Sequence, residues 1–354
     1  MFSPFKKESK EMKHLNCSRF VKIGCALAMT AGLVGCSSNP TTTSTSEGQE
    51  LTTVKLMLDY APNTNHTGLY VAQNKGYFEE QGLKVEIIEP GDNATTSMVA
   101  AGKADFGVSY QEDVTYALTS EDPLPIKAIG TIIQHNTSGF VSLKAAGINS
   151  VKDFEGKTYA GWGAPSEEAV INAVMQKDGA DFNKLTLVGS DGSGIPGLSE
   201  TAGANKVNLL WEFYGWAVTN ATMNGYELNF MPLNELDERL DYYTPLLITN
   251  NDKIEKDPET VKKFMAATKK GYEFAIENPK ESAKILHDVA LPDTDLAFLE
   301  ASQEYLSAEY AKDAPSWGVM KDSVWNNYTQ FMFEYGLINQ EIEASKMYTN
   351  EFVE

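Results

Sequence analysis

Cysteine is scarce in this chain: 354 residues hold three, Cys17, Cys25 and Cys36, and none follows. The body of the protein therefore has no disulfide, no thiolate zinc site and no cysteine nucleophile, a pattern expected of exported proteins that avoid thiols rather than pair them. Histidine is nearly as rare. Beyond residue 36 there are His66, His135 and His287, with no pair at four-residue spacing, so neither a transition-metal site nor a metal cofactor is expected. No Gly-x-Ser-x-Gly elbow occurs, which removes the commonest acyl-transfer signature. Positive charge is also in deficit, with 29 Lys and Arg against 49 Asp and Glu and a net charge of −20. Residues 1–35 carry a surplus of +4, which leaves −24 on the remainder. Such a charge balance argues against nucleic acid and anionic lipid headgroups as partners. The apolar run Ile23–Val34 has 12 residues, too short for a spanning helix, which needs about 20.

That run fits the apolar core of a secretory signal, about 7–15 residues behind a basic stretch. The basic stretch ends at Lys22, and either Met1 or Met12 serves as the start. The run closes on Leu33-Val34-Gly35-Cys36, which resembles the bacterial lipoprotein cleavage box; a chance cysteine behind an ordinary signal is the other reading. The box implies that Cys36 carries lipid and that the mature protein is extracytoplasmic, anchored to the cell membrane. Ser37–Glu50, rich in Ser and Thr, reads as a flexible tether.

The remaining chain is too long for one core of ordinary size, and at 42% hydrophobic and 22% charged it is globular, so two lobes are expected. From residue 51 short apolar strands alternate with amphipathic helices, an α/β pattern. Strands are expected at Val54–Leu58, Leu83–Ile88, Ala104–Val108 and Ile126–Ile133, with helices around Thr67–Asn74, Thr95–Ala101 and Glu112–Thr119. A second set has strands at Thr158–Gly161, Leu185–Val188, Val207–Phe213 and Glu227–Met231, with helices at Ser166–Lys177 and Trp216–Asn224. Pro245–Ile248 reads as a strand returning to the first lobe. A helical tail follows, opened by Asp257-Pro258-Glu259: an N-cap, a proline at the first helical position and an acid in the first turn. The expected division is 51–142 with 246–354 for one lobe and 143–245 for the other. Two α/β lobes crossed more than once by the chain imply a hinged cleft, and in open α/β sheets the ligand crevice lies beyond the carboxyl ends of the strands.

Four loops follow such strand ends. They offer Asp59, Tyr60, Asn63, Asn65 and His66; Tyr110 and Glu112; Trp162, Ser166 and Glu167; and Trp211, Glu212, Tyr214 and Trp216. None contains Lys or Arg. An anion site usually offers one of these or a bare helix N-terminus, whereas the helix start after Pro165 carries Glu167 and Glu168, which repel an anion. Aromatic walls with carboxylate and amide acceptors suit a flat, neutral or weakly basic ring that bears N–H groups. Tyr60 and Trp216 are the stacking candidates, and Asn65, Tyr110, Glu167 and Glu212 the ring-edge partners. Structural roles compete for several of these. One of Trp211 and Phe213 fits the core, and one of Glu167 and Glu168 fits a partner of the helix dipole. His66 fits a helix-start hydrogen bond, and Asn63 and Asn65 fit turn residues.

The segments Leu58-Asp59-Tyr60, Asn63 to Ala72 and Lys75 to Leu83 closely resemble the thiamine-pyrimidine precursor binding proteins, in the family of the fungal pyrimidine synthases of thiamine biosynthesis. The resemblance continues at Gly102 to Gly107, Trp211 to Trp216 and Asp241-Tyr242-Tyr243-Thr244-Pro245, and covers nearly all of residues 54–350. It implies a type II periplasmic-binding-protein fold with a helical C-terminal tail. It implies too a pyrimidine ligand such as formylaminopyrimidine or hydroxymethylpyrimidine, held by a monomer for an ABC permease and its ATPase. The synthases carry a cofactor-binding lysine, a reacting histidine and a cysteine-rich iron-binding run. Ser109, Asp113 and Leu240–Thr244 stand at those places here. The chain also departs from the family in its Gly- and Ser-rich stretch Gly189–Asn205, and at Ala217, where the resemblance implies a polar residue that meets the ring; either Glu212 compensates or the ligand differs.

Three readings result. The first is a pyrimidine-precursor binder without enzymatic activity or cofactor. The second is a binder of an alkanesulfonate, taurine or nitrate, which requires a base reaching the cleft from another segment. The third, a pyridoxal-dependent pyrimidine synthase, is disfavoured by the missing nucleophile and metal ligands.

Overall fold

A computed structural model describes residues 51–91 and 94–353. The expected signal segment, Cys36 and the tether lie outside the described residues. Strands β1 (Thr52–Met57), β2 (Leu83–Ile88), β3 (Phe106–Ser109), β4 (Ile126–Thr131) and β5 (Ser138–Leu143) come first in the chain. They are followed by β6 (Thr158–Gly161), β7 (Thr186–Gly189), β8 (Leu210–Phe213), β9 (Leu228–Pro232) and β10 (Leu246–Asn250).

One sheet has the order β2-β1-β3-β10-β4, with β1 parallel to both neighbours and β10 antiparallel to β3 and β4. Its inner strands β3 and β10 are apolar and buried almost along their length, as happens when helices cover both faces. In the other lobe β5 lies between β8 and β9, all antiparallel, and β6 pairs in parallel with β7. A bridge between Tyr159 and Leu209 joins these two pieces.

β5 is absent from the sequence expectations. Ser138, Gly139 and Ser142 weaken its strand signal, yet the strand is central, and a Cβ on Gly139 would lie 2.4 Å from the Met231 carbonyl oxygen. A glycine inside a strand here marks close backbone approach.

The chain passes between the sheets at residues 132–137 and again at 241–245, and the two crossings are tied together. Asp241 accepts from the Asn136 N–H at 2.9 Å and meets His135 Nδ1 at 2.7 Å, while Asn136 Nδ2 donates to the Leu240 carbonyl at 2.9 Å. The hydrogen bond to Asp241 holds the His135 imidazole above its ordinary pKa.

The tail comprises helices Pro258–Glu277, Pro279–Ala290, Leu296–Glu309 and Asp322–Glu334. Asp257 caps the first of them, accepting from the Thr260 N–H at 3.3 Å. The first sheet's core stacks Phe106 on Phe264 at 3.8 Å; the second gathers Phe140, Phe154 and Tyr159. The aromatic stripe of Asp322–Glu334 divides between them. Trp325 packs with Tyr243 and Met347 beside the first sheet, and Tyr328, Phe331 and Met332 pack in the second core.

Candidate functional site

A cavity of about 690 Å³ lies between the two sheets, beyond the carboxyl ends of β1, β3, β6 and β8. In the loop after β1, the Asn65 N–H donates to Asn63 Oδ1 at 2.9 Å and the Asn63 N–H donates to His66 Nδ1 at 3.2 Å. Because Nδ1 is an acceptor, the ring proton sits on Nε2, which donates to Asp59 Oδ1 at 2.7 Å. The imidazole is 0% exposed and stands behind Asp59. Tyr60, 72% exposed, stands at the rim.

After β3 come Tyr110 and Glu112. Glu112 Oε2 accepts from the Tyr328 hydroxyl at 2.7 Å and Oε1 from Ser166 Oγ at 3.0 Å. Burial raises the Glu112 pKa against the pull of both hydrogen bonds. Asp113 beside it is pushed up to about 6, first by burial and then by the Glu112 charge. The Ser166 bond joins the Gln111–Thr119 helix of one lobe to the Pro165–Lys177 helix of the other.

After β6, Glu167 folds back on its own turn. It accepts from the Tyr159 hydroxyl, the Gly163 N–H at 2.7 Å and the Trp162 N–H at 3.2 Å. A Cβ on Gly161 would lie 1.8 Å from Glu167 Oε1, so a larger residue there would displace the carboxylate. It presents Trp162, 62% exposed and tilted against Trp211 at 5.2 Å.

After β8 the backbone takes a π-helical turn over Tyr214–Val218, a feature often met at functional sites. Ser302 Oγ holds this turn by donating to the Gly215 carbonyl, and it lies 2.6 Å from Thr64 Oγ1 on the opposite lobe. The wide turn carries Trp216 to the cavity, edge-on to Phe298 at 4.8 Å, and sends Tyr214 outward onto Phe230 and Tyr305.

Of the residues proposed from sequence, Asp59, Tyr60, Asn63, Asn65, Tyr110, Glu112, Trp162, Trp211, Glu212 and Trp216 line this cavity. The other four do not line it. His66 stands behind Asp59, Ser166 behind Glu112, Glu167 inside its turn, and Tyr214 against Tyr305. Sequence reasoning passed over Thr137, Tyr242, Thr244, Leu291 and Leu306 as wall residues. Tyr242 is buried and stacked on Tyr328 at 4.1 Å. The Asp241–Pro245 segment was conspicuous, but nothing in it told which side chain faces inward. Leu291 and Leu306 come from the tail and gave no signal.

Among the described residues, no Lys, Arg or His lines the cavity. Glu212 lines the wall with no hydrogen-bond partner among the described residues, and burial pushes its carboxyl up to about 7. Among the described residues no group of three His, Cys, Asp or Glu side chains is set to hold a metal.

A family model described as NMT1/THI5 like matches residues 63–282. The chain belongs to the NMT1/THI5-like family. Among its relatives is a formylaminopyrimidine-binding protein of Halalkalibacterium halodurans, 29% identical over 260 residues, which are 72% of this chain and 74% of the relative. Another is a 4-amino-5-hydroxymethyl-2-methylpyrimidine phosphate synthase of Uromyces fabae, 26% identical over 321 residues, 85% of this chain and 87% of that one. The alkanesulfonate-binding protein SsuA of Xanthomonas axonopodis pv. citri superimposes with a TM-score of 0.61 at 13% identity, covering 85% of this chain and 99% of its own. That likeness shows the fold, the two-lobed α/β architecture of type II periplasmic binding proteins. NMT1/THI5-like relatives include a binder and synthases, so the choice between them falls to the site.

Proposed function

We propose that this protein is the extracytoplasmic solute-binding lipoprotein of an ABC importer, and that it captures a thiamine pyrimidine precursor such as formylaminopyrimidine or hydroxymethylpyrimidine between its lobes. One observation carries the reading: a cavity walled by Tyr60, Trp162, Trp211 and Trp216, bearing the carboxyl groups of Asp59, Glu112 and Glu212, with no cation among the described residues that line it. Flat rings stack on such walls, and N–H donors at a ring edge find acceptors there. A sulfonate or nitrate would be buried without a positive partner and beside like charge, which is costly. The formylaminopyrimidine-binding relative supports the same ligand class.

The site also supports a binder over a synthase. By the resemblance, a lysine amine is needed where Ser109 stands. Ser109 is buried, and a hydroxyl forms no Schiff base. Leu240–Thr244 offers no cysteine at the place of the iron-binding run. Closure of the two lobes on the ligand then gives a permease and its ATPase a distinct surface to recognise. Lipid on Cys36 keeps the receptor, acting as a monomer, beside its importer. The direct test is native mass spectrometry of protein purified from its own host. A co-purified mass matching an aminopyrimidine is expected; a sulfonate, taurine, nitrate or a covalent pyridoxal adduct would overturn the reading.

A further inference from the structure

The three wall carboxyl groups differ in what already occupies them. Asp59 is held by His66, and Glu112 by Tyr328 and Ser166. Glu212 has no such partner, and its backbone is fixed in β8 opposite Gly139 of β5. Its chain neighbours Trp211 and Phe213 also line the cavity, and among the described residues no group takes up the hydrogen-bonding capacity of the carboxyl. Burial alone pushes it up to about 7, where it is an acid and a base by turns.

We propose that Glu212 sets the specificity of this cavity by pairing with the amidine edge of the ligand, a ring nitrogen and the exocyclic amine beside it, through two hydrogen bonds that together hold one proton. The inference rests on the aminopyrimidine reading above and goes beyond it, since it names the edge recognised and the protons carried. In one form the carboxyl O–H donates to the ring nitrogen while its carbonyl oxygen accepts from the amine. In the other the proton has moved to the ring nitrogen, and the carboxylate accepts from both N–H groups. The two forms differ only in where one proton lies. With two protons a donor faces a donor, and with none two lone pairs face each other. A ring whose amine is missing leaves an oxygen of Glu212 buried and unpaired, and a site built to hydrogen-bond a group rejects the analogue that lacks it.

Titration calorimetry with 4-amino-5-hydroxymethyl-2-methylpyrimidine from pH 5 to 9 tests this on the wild type, Glu212→Gln and Glu212→Ala. Above the pKa of Glu212 the wild type must take up a proton to bind, so its affinity should fall at least about tenfold between pH 7 and 9. Glutamine presents an N–H donor and a carbonyl acceptor without needing a proton. Glu212→Gln should therefore keep wild-type affinity at pH 7 within about threefold and lose the pH dependence, whereas Glu212→Ala should be at least about tenfold weaker throughout. A flat wild-type profile, or Glu212→Gln as weak as Glu212→Ala, overturns the inference while binding of the probe by the wild type leaves the pyrimidine reading standing. Equal affinity for the analogue without the amine does the same. Failure of the wild type to bind any pyrimidine overturns both.

Discussion

Glu167 accepts from two backbone N–H groups and a tyrosine hydroxyl within one turn, so its carboxylate is part of the scaffold that aims Trp162. Glu167→Ala leaves those donors without their acceptor. It should cost about 3 kcal/mol in urea unfolding, and it should weaken ligand binding through the displaced Trp162. Glu212 acts with the opposite sign. Its folded pKa, about 7, lies above its ordinary 4.5, so the folded state binds more protons and stability falls as pH rises through that window. Asp113, pushed up to about 6, adds to the fall. The ligand-free protein should melt at lower temperature at pH 8 than at pH 5. Glu212→Gln should melt higher than wild type at pH 8 and show a shallower slope; a steeper slope in the variant would contradict the assignment. At this scale the sequence told which loops carry rings and acids and that they lack bases. It did not tell that His66 faces Asp59, because a histidine at a helix start serves either role, and the Asn63 N–H decides between them. Nor did it distinguish Tyr214 from Trp216, because the extra backbone of a π-helical turn leaves no mark on residue type.

Between elements, close approach matters as much as side-chain chemistry. The Thr67–Asn74 and Pro258–Glu277 helices meet where a Cβ on Gly68 would lie 2.3 Å from the Tyr272 ring and one on Gly271 2.1 Å from the Gly68 carbonyl oxygen. Gly68→Ala should destabilise the protein by about 1–3 kcal/mol in chemical unfolding, as overpacking does. An unchanged midpoint would mean that the helices part freely. The tie between Ser166 and Glu112 spans the lobes, so Ser166→Ala should speed ligand dissociation by a factor corresponding to about 1 kcal/mol, seen in stopped-flow tryptophan fluorescence. Most elements were legible because their periodicity and caps are local, as with Asp257-Pro258. β5 was not, since its strand character comes from neighbours on both sides rather than from Ser138, Gly139 and Ser142 themselves.

For the whole molecule, alternating strands and helices predicted an α/β protein of two lobes, and the family's likeness extended that to a type II binding fold. The contribution of the tail was harder to foresee. Ser302 touches both lobes, and the Asp322–Glu334 helix packs into both cores, contacts that depend on tertiary geometry and leave no sequence motif. The whole arrangement converges on one cavity lined by rings and carboxyl groups, with no cation among the described lining residues. Calorimetric titration of the ligand-free protein at pH 7 with 4-amino-5-hydroxymethyl-2-methylpyrimidine and, separately, with ethanesulfonate tests that most directly. Saturable one-site binding of the pyrimidine and no heat from the sulfonate is the predicted result. Saturable binding of the sulfonate with none of the pyrimidine would contradict it.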